Sequence, residues 1–333
     1  MENVIKILYI TTDENNNLHK PDRSQGDYME NLILLGLRKI LKENCVEYPR
    51  KKILYHDFST VSKDSLHGKG FSLYYEKMED IPDHCRDLTN QTFDVILYGT
   101  AFAWGMEDIP ELEKKCKLKF YIDGHDLYGH ATAGNYIRYS GEVLIGNQAK
   151  PSFKEQLILE EPHVYPTGVG LPESRILPID LSKKCQLYQK AYPRMANFEI
   201  PNESNRAHYI FTNEEDYYED MSKSWFGLSC RRGGWDAMRN YEIIAAGSVL
   251  LFRDHYLKPR YCSPGDCPAI SYSTKEELQQ IMSSLIVDNK PTDAYINKLN
   301  EQRDWLINNA TEIARAKYIL SILEKYVSGE IKY

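Results

Sequence analysis

The sequence predicts an α/β protein built from two halves of the same kind. Short apolar runs alternate with amphipathic stretches up to about residue 145, and the same alternation starts again near residue 208. A segment rich in Pro, Gly and Tyr, residues 160–201, separates the two. Strands that alternate with helices predict a mainly parallel sheet covered by helices. At 333 residues the chain is long enough for two domains of typical size.

In the first half, short apolar runs bounded by polar turns are typical of buried strands. The first run is followed by a long polar loop and then by residues 28–43, where apolar residues recur at helical spacing. The basic cluster at residues 67–71 is interpreted as a loop, with the wall of an acceptor pocket as the alternative. The predicted strands are residues 4–10, 52–55, 94–98, 118–122 and 143–145.

The second half repeats the pattern. Asn213 and Thr274 stand where N-caps are expected for helices over residues 214–223 and 275–287. Residues 292–326 are predicted to be helical to nearly the end. The chain is therefore divided into residues 1–175, residues 176–310 and a final helical segment, 311–333. The predicted strands of this half are residues 208–211, 225–229, 249–252 and 269–272.

The strongest functional signal is a basic, Gly-rich turn between two predicted strands. Arg231, Arg232, Gly233 and Gly234 follow the strand at 225–229 and precede a short helix. Free N–H groups, a helix dipole and two guanidinium groups in one place suit a diphosphate. In the alternative interpretation, the two arginines only cover a helix end.

Charged residues on the short helix extend this signal. Asp236, Arg239 and Glu242 recur every third residue, so they are predicted to share one arc of the helix. In the alternative, Arg239 only pairs with the two carboxylates at helical spacing. Gly247 stands where a left-handed C-cap is expected. A charged turn at the carboxyl end of a strand in a β-α-β unit is where α/β proteins bind nucleotides.

The segment Tyr241-Glu242-Ile243-Ile244-Ala245-Ala246-Gly247 resembles the nucleotide-binding half of a GT-B glycosyltransferase. The resemblance is closest to uncharacterised bacterial glycosyltransferase-like proteins with a Gly-Trp-Asp, Arg and Tyr-Glu signature, here Gly234-Trp235-Asp236, Arg239 and Tyr241-Glu242. It implies two facing Rossmann-like domains, a last helix that returns to the first domain, and a ribose contact for Glu242. Gly234 stands where many retaining members carry a second Glu, so the resemblance leaves the stereochemical outcome open.

The candidate catalytic residues follow the predicted strand at 118–122. Asp123 or Asp126 is a candidate general base for an acceptor hydroxyl, and His125 is a rival. In the alternative, Asp123 only caps a turn. His125 and His130 with Asp126 are a further, less regular candidate metal site. We expect no metal, because the arginine turn supplies positive charge, and no cofactor besides the nucleotide-sugar donor.

Composition narrows the function classes. The net charge of −7 and the pI near 5.8 disfavour a general nucleic-acid binder. Seven scattered cysteines without a C-x-x-C motif are interpreted as thiols in a reducing compartment, so we expect a soluble cytoplasmic protein. The expected partners are a nucleotide sugar and a glycan or glycolipid acceptor, and work at a membrane surface stays open. The alternative is a non-catalytic nucleotide- or glycan-binding protein of surface assembly on the same fold.

Overall fold

The chain folds as a mixed α/β protein with two separate parallel sheets, one in each half, which confirms the α/β class. The division into two facing domains stays a prediction. None of the described helices is long and apolar enough to cross a membrane. The computed structural model describes residues 4–11, 28–59, 62–99, 108–124, 138–139, 142–143, 151–190 and 210–332.

The first sheet has six parallel strands in the order β2-β1-β3-β4-β7-β8. All four residues of β1 are buried, as expected for a strand covered by helices on both faces. The short strands β5 and β6 pair antiparallel outside this sheet. The strands are β1 Ile7–Ile10, β2 Cys45–Tyr48, β3 Phe93–Tyr98, β4 Cys116–Asp123, β5 Arg138–Tyr139, β6 Glu142–Val143, β7 Ser152–Lys154 and β8 Val164–Pro166.

The predicted second strand, residues 52–55, is wrong. Lys52–Tyr55 is a 3₁₀ helix, and Cys45–Tyr48 forms the strand beside β1. A short apolar run cannot be assigned to strand or helix by periodicity alone. The strand Cys45–Tyr48 was not predicted because Glu47 interrupts its apolar pattern. The buried Glu47 carboxylate is neutralised by Arg38 and Arg86.

The second sheet has four parallel strands in the order β12-β11-β10-β9. Residues 210–211 of the predicted strand 208–211 form no strand, and residues 208–209 lie outside the described part of the chain. The edge strand is instead β9. It was not predicted because the segment around it is rich in Pro, which is unfavourable in strands. The strands are β9 Gln186–Tyr188, β10 Ser224–Cys230, β11 Val249–Arg253 and β12 Ile270–Tyr272, with a small hairpin of β13 Ile286–Val287 and β14 Lys290–Pro291.

The helices begin at the predicted caps. Asn213 Oδ1 accepts the Asp216 N–H at 2.8 Å, and Thr274 Oγ1 accepts the Glu277 N–H at 3.1 Å, which confirms both N-caps. The helices are α1 Tyr28–Leu41, α2 Asp83–Arg86, α3 Ile109–Glu113, α4 Glu214–Ser222, α5 Met238–Ala245, α6 Lys275–Leu285, α7 Asp293–Asn309 and α8 Glu312–Val327.

The helix α8 packs against α1 of the first half. Gly36 lies so close that a Cβ atom there would be 2.0 Å from the backbone oxygen of Glu312. Lys39 forms a 2.5 Å ion pair with the buried Glu312 carboxylate. Farther along α8, the Tyr326 ring meets Phe120 of β4 edge-on, with centroids 4.9 Å apart. The last helix is therefore part of the packing of the first half.

Candidate functional site

The basic turn lies at the carboxyl end of β10. Arg231, Arg232 and Gly233 are exposed, whereas Gly234 is buried. In the sheet register Cys230, the last residue of β10, is opposite Arg253, the last residue of β11. The two strands therefore bring Arg231 and Arg253 to the same edge of the sheet, which is the edge where open α/β folds bind ligands.

An open crevice of about 510 Å³ is found at this edge. Its wall includes one residue of the first half, Ile158, so both halves contribute to it. The guanidinium carbon of Arg231 lies 5.3 Å from the centre of the Trp235 ring, a cation–π distance. The lining residues are Ile158, Arg231, Trp235, Arg253, Asp254, Leu257 and Pro259. The crevice thus combines apolar walls with two arginines and one carboxylate.

Trp235 forms the floor of the turn. It is buried in a small cluster with Phe252 and Cys262, and its ring stacks on Phe252 with centroids 6.1 Å apart. The buried indole Nε1 has no hydrogen-bond partner among the described residues. Since an indole N–H only donates, the partner it lacks is an acceptor.

The segment after β7 contacts the turn directly. The side-chain oxygen of Gln156 accepts the backbone N–H of Trp235 at 3.1 Å. The backbone N–H of Ser263 donates to the Glu155 backbone oxygen at 2.9 Å. Burial raises the pKa of the Cys262 thiol to about 11, while the charges of Lys258, Arg231 and Lys154 lower it. Lys154 of the first sheet and Arg231 of the second therefore both lie near the same thiol.

Asp236 lies outside the helix. The prediction that Asp236, Arg239 and Glu242 share one helical arc is wrong for Asp236, because α5 begins only at Met238. Its carboxylate instead accepts the N–H of Val169 at 2.9 Å and that of Ala237 at 2.9 Å. Burial raises its pKa. A nucleotide contact for Asp236 stays a prediction.

The glycine before Val169 explains how closely the halves approach. A Cβ atom at Gly168 would lie 1.7 Å from Ser263 Oγ and 2.5 Å from an Asp236 carboxylate oxygen. Only glycine therefore fits beside that carboxylate. Through its bond to Val169, the Asp236 side chain links the segment after β8 to the turn after β10.

Tyr241 is fully buried on α5. Its ring stacks on Trp305 with centroids 6.1 Å apart, and the Arg315 guanidinium lies 3.4 Å from its hydroxyl. Burial, with the charge of Asp236, raises its pKa well above the ordinary value. These contacts assign Tyr241 a packing role, and its predicted place in the nucleotide site stays a prediction.

Glu242 is buried between the two halves. Ser72 donates its hydroxyl to one carboxylate oxygen, and Tyr217 donates its hydroxyl to the other at 2.5 Å. Burial raises the Glu242 pKa above its ordinary value, and the nearby Glu214 raises it further. The ribose contact stays a prediction, and a ribose would meet a carboxylate that already accepts two hydroxyl groups.

Ser72 reaches Glu242 from the loop that contains the basic cluster 67–71. Gly68, Lys69 and Gly70 all have positive φ, and so does Ser72, with φ 68° and ψ −63°. The Leu73 N–H donates to the Phe71 oxygen at 2.8 Å, which closes a three-residue γ-turn around Ser72. The turn is rare for a non-glycine residue and is held by the contacts of Ser72 with α4 and α5.

Arg239 is the most unusual side chain of the helix. It is only 8% exposed, yet its buried Nε and Nη1 atoms have no hydrogen-bond partner within the part of the chain that the structure describes. Arg239 forms no ion pair with Asp236 or Glu242 among the described residues, although its charge lowers the Glu242 pKa. The N-cap residue, Ala237, has no side chain that could cap the first N–H groups of α5. A buried cation near a helix N-terminus that lacks a side-chain cap forms a place for an anion.

Asp123 ends β4 at the carboxyl edge of the first sheet. In the register it faces Lys154 of β7, and its carboxylate lies 3.8 Å from the Lys154 ammonium. His125, Asp126 and the His130 of the alternative metal site lie outside the described residues. Within the described ranges, no group of three or more His, Cys, Asp or Glu residues could hold a metal ion.

Two residues of this region were missed from the sequence. Arg253 directly follows a strongly apolar strand, so a cation at that strand's carboxyl end was a visible signal. Ser72 carried no signal, because its contact with Glu242 joins residues 170 positions apart. Its role depends on the packing of the two halves rather than on any local pattern.

No protein-family model matches the chain, and no curated protein matches it. Among solved structures, the chain is similar to one described as the crystal structure of CalG4, the calicheamicin glycosyltransferase. The identity is 10%, the TM-score is 0.37, and the match covers 97% of this chain and 99% of that one. A likeness at this TM-score carries no argument about fold or activity.

Proposed function

We propose that the protein is a glycosyltransferase that moves a sugar from a nucleotide-sugar donor to an acceptor hydroxyl. The observation that carries the proposal is Arg239, a buried arginine with two nitrogens that find no hydrogen-bond partner among the described residues, at a helix N-terminus without a side-chain cap. Leaving a buried charged group without hydrogen bonds is costly, so such a group is typical of a site that a bound anion completes. The diphosphate of a nucleotide sugar is an anion that can accept hydrogen bonds from this arginine.

Other arginines of the same β-α-β unit extend the proposed donor site. Arg231 and Arg232 follow β10 at its carboxyl end, and Arg253 ends β11 opposite Cys230. In the proposal, Arg231, Arg232, Arg239 and the N–H groups near Gly233 hold the diphosphate. These positive groups stabilise the charge that builds on the leaving diphosphate, so the transfer needs no metal.

The acceptor side belongs to the first half. Asp123 stands at the carboxyl edge of its sheet, and the neighbouring segment after β7 contacts the turn through Gln156 and Trp235. In the proposal a carboxylate at this edge takes the proton from the acceptor hydroxyl as the oxygen attacks the anomeric carbon and the nucleoside diphosphate leaves. Asp126 and His125 are the other candidates for the base.

The test of the donor site is Arg239→Met. We expect the affinity for a nucleoside diphosphate to fall about tenfold or more, because each hydrogen bond to a charged group contributes about 1.5–3 kcal/mol. The unliganded variant should be as stable as the parent or more so, since an unsatisfied buried cation has been replaced by an apolar side chain. Calorimetric titration with UDP, GDP, ADP and dTDP measures the first effect, and thermal unfolding measures the second.

The matched control is Arg303→Met, the same change at a half-buried arginine of α7. Its Nη1 likewise has no partner among the described residues, but it lies far in sequence from the arginine turn, so the change should leave nucleotide affinity unchanged. Equal affinities of parent and Arg239→Met for every nucleoside diphosphate would contradict the proposed donor site. The nucleotide sugar that binds is then assayed for hydrolysis and for sugar transfer. This assay distinguishes an enzyme from a non-catalytic binding protein. Binding without any turnover would favour the latter.

A further inference from the structure

Exposed apolar side chains surround the mouth of the crevice. Leu159 is 69% exposed, Tyr256 is 68% exposed and Leu257 is 58% exposed, and Ile158 stands beside them in the crevice wall. We refer to Ile158, Leu159, Tyr256 and Leu257 as the apolar collar. Ile158 and Leu257 line the crevice, and Leu159 and Tyr256 are their chain neighbours. Exposed apolar side chains grouped in this way mark an interaction site.

The collar comes from both halves and is held as one surface. Its first pair belongs to the segment after β7, and its second pair belongs to the 3₁₀ helix His255–Leu257. The Tyr261 hydroxyl donates to Glu160 at 3.1 Å, and Gln156 pairs with Cys262 through an isolated backbone bridge. These contacts hold the two segments beside each other, so the exposed side chains of both segments lie on the same side of the molecule as the crevice.

Positive charge lies next to the collar. Arg231, Arg232 and Arg260 are exposed, although the whole chain carries a net charge of −7. Acidic residues are close as well: Asp254 lines the crevice, Glu160 bonds to Tyr261, and Asp266 lies near Lys258. The surface thus offers apolar side chains flanked by arginines, which complements a surface that is both apolar and anionic.

We propose that the apolar collar docks on an anionic lipid bilayer and brings the mouth of the crevice to the membrane surface. Leu159 and Leu257 would enter the boundary between head groups and acyl chains, Tyr256 would lie at head-group level, and the arginines would contact lipid phosphates. Exposed apolar side chains on two segments fit a fluid lipid surface, which needs no complementary shape, better than the rigid face of a partner protein. The inference goes beyond sugar transfer and is tested without it.

The experiment is sedimentation of the full chain with vesicles. We expect binding to vesicles of equal parts phosphatidylcholine and phosphatidylglycerol, and binding at least about tenfold weaker to pure phosphatidylcholine or at 0.5 M salt. The double variant Leu159→Ser and Leu257→Ser should bind the anionic vesicles at least about tenfold more weakly, because each buried leucine contributes that much or more. Arg260→Gln should weaken binding about fivefold.

The matched control is the double variant Val4→Ser and Val287→Ser. These valines are 58% and 50% exposed, and neither lies at the crevice. The control should bind vesicles like the parent, and all variants should unfold at the parent's temperature. Three outcomes would overturn the proposal: no binding to anionic vesicles, equal loss in collar and control variants, or a parent dimer in gel filtration that only the collar variant dissociates.

Discussion

Glu242→Gln separates a structural role of this carboxylate from a nucleotide-binding role. In the structure each carboxylate oxygen accepts one hydroxyl, from Ser72 and from Tyr217. Glutamine keeps the shape but offers one acceptor oxygen and one NH₂ donor, so one of the two hydroxyl groups loses its acceptor. The remaining charge-assisted bond becomes a neutral one. The lost bond and the change from a charged to a neutral acceptor each cost about 1 kcal/mol or more, which gives a loss of at least about 2 kcal/mol before any gain is counted.

The gain comes from removing a buried charge. The Glu242 pKa is raised in the folded protein, so burial penalises the ionised carboxylate more than its two hydrogen bonds stabilise it. A folded pKa above the unfolded value means that the stabilising contribution is complete below the unfolded value near 4.5 and is lost as the pH rises through the folded pKa. Glutamine does not ionise, so the unfolding free energy of the variant does not contain this pH-dependent loss. We therefore expect the stability of the variant relative to the parent to increase from pH 4 to pH 7.

Urea unfolding of both proteins between pH 4 and pH 7.5 measures this difference. The resemblance adds a second expectation, a fall in nucleotide affinity of about tenfold or more, because a ribose would lose charge-assisted bonds. Tyr217→Phe is the matched control, since it removes one hydroxyl donor and keeps the carboxylate for a ribose. If Glu242→Gln binds the nucleoside diphosphate as tightly as the parent, the ribose role is wrong. If the stability difference does not vary with pH, the burial argument is wrong.

Three further predictions concern chemistry and stability. Asp123→Asn should slow sugar transfer by about 100-fold or more with nucleotide affinity nearly intact, and normal turnover would move the general base to Asp126 or His125. Sugar transfer should survive EDTA, whereas a loss that manganese or magnesium restores would contradict the arginine-based stabilisation of the leaving group. Burial lowers the pKa of Lys184 to about 7, so the unfolded chain binds one more proton above that pH. The unfolding free energy of the parent should therefore rise relative to Lys184→Met by about 2 kcal/mol between pH 7 and pH 9, and a constant difference would refute the buried-lysine explanation.

The parts of the fold that local patterns determine were predictable. The strands β10 and β11 and the caps Asn213 and Thr274 follow from apolar runs and from side chains that accept backbone N–H groups. The strand β2 was missed because Glu47 interrupts its apolar pattern, and its compensating arginines are distant in sequence. Long-range neutralisation of this kind is invisible in a single sequence.

The candidate site also has parts that local sequence patterns predict and parts that depend on residues distant in the sequence. The exposed arginine turn at the end of β10 follows from Arg231 and Arg232 themselves, once a strand is predicted before them. The side chains of Asp236 and Glu242, by contrast, meet Val169 and Ser72, which are 67 and 170 residues away. Helical spacing alone placed both carboxylates on one arc, because it does not include the partners that the other half supplies.

The contact of α8 with α1 has a consequence for how the chain reaches its native state. The α1 surface around Gly36 belongs to the first half, but the helix that covers it is made only after the whole second half has been synthesised. During translation this surface, with the apolar side chains beside it, therefore has no native partner. Contacts of such large sequence separation slow folding, and uncovered apolar surface is prone to aggregation. A nascent chain stalled before residue 312 should thus need a chaperone, whereas the completed chain should not.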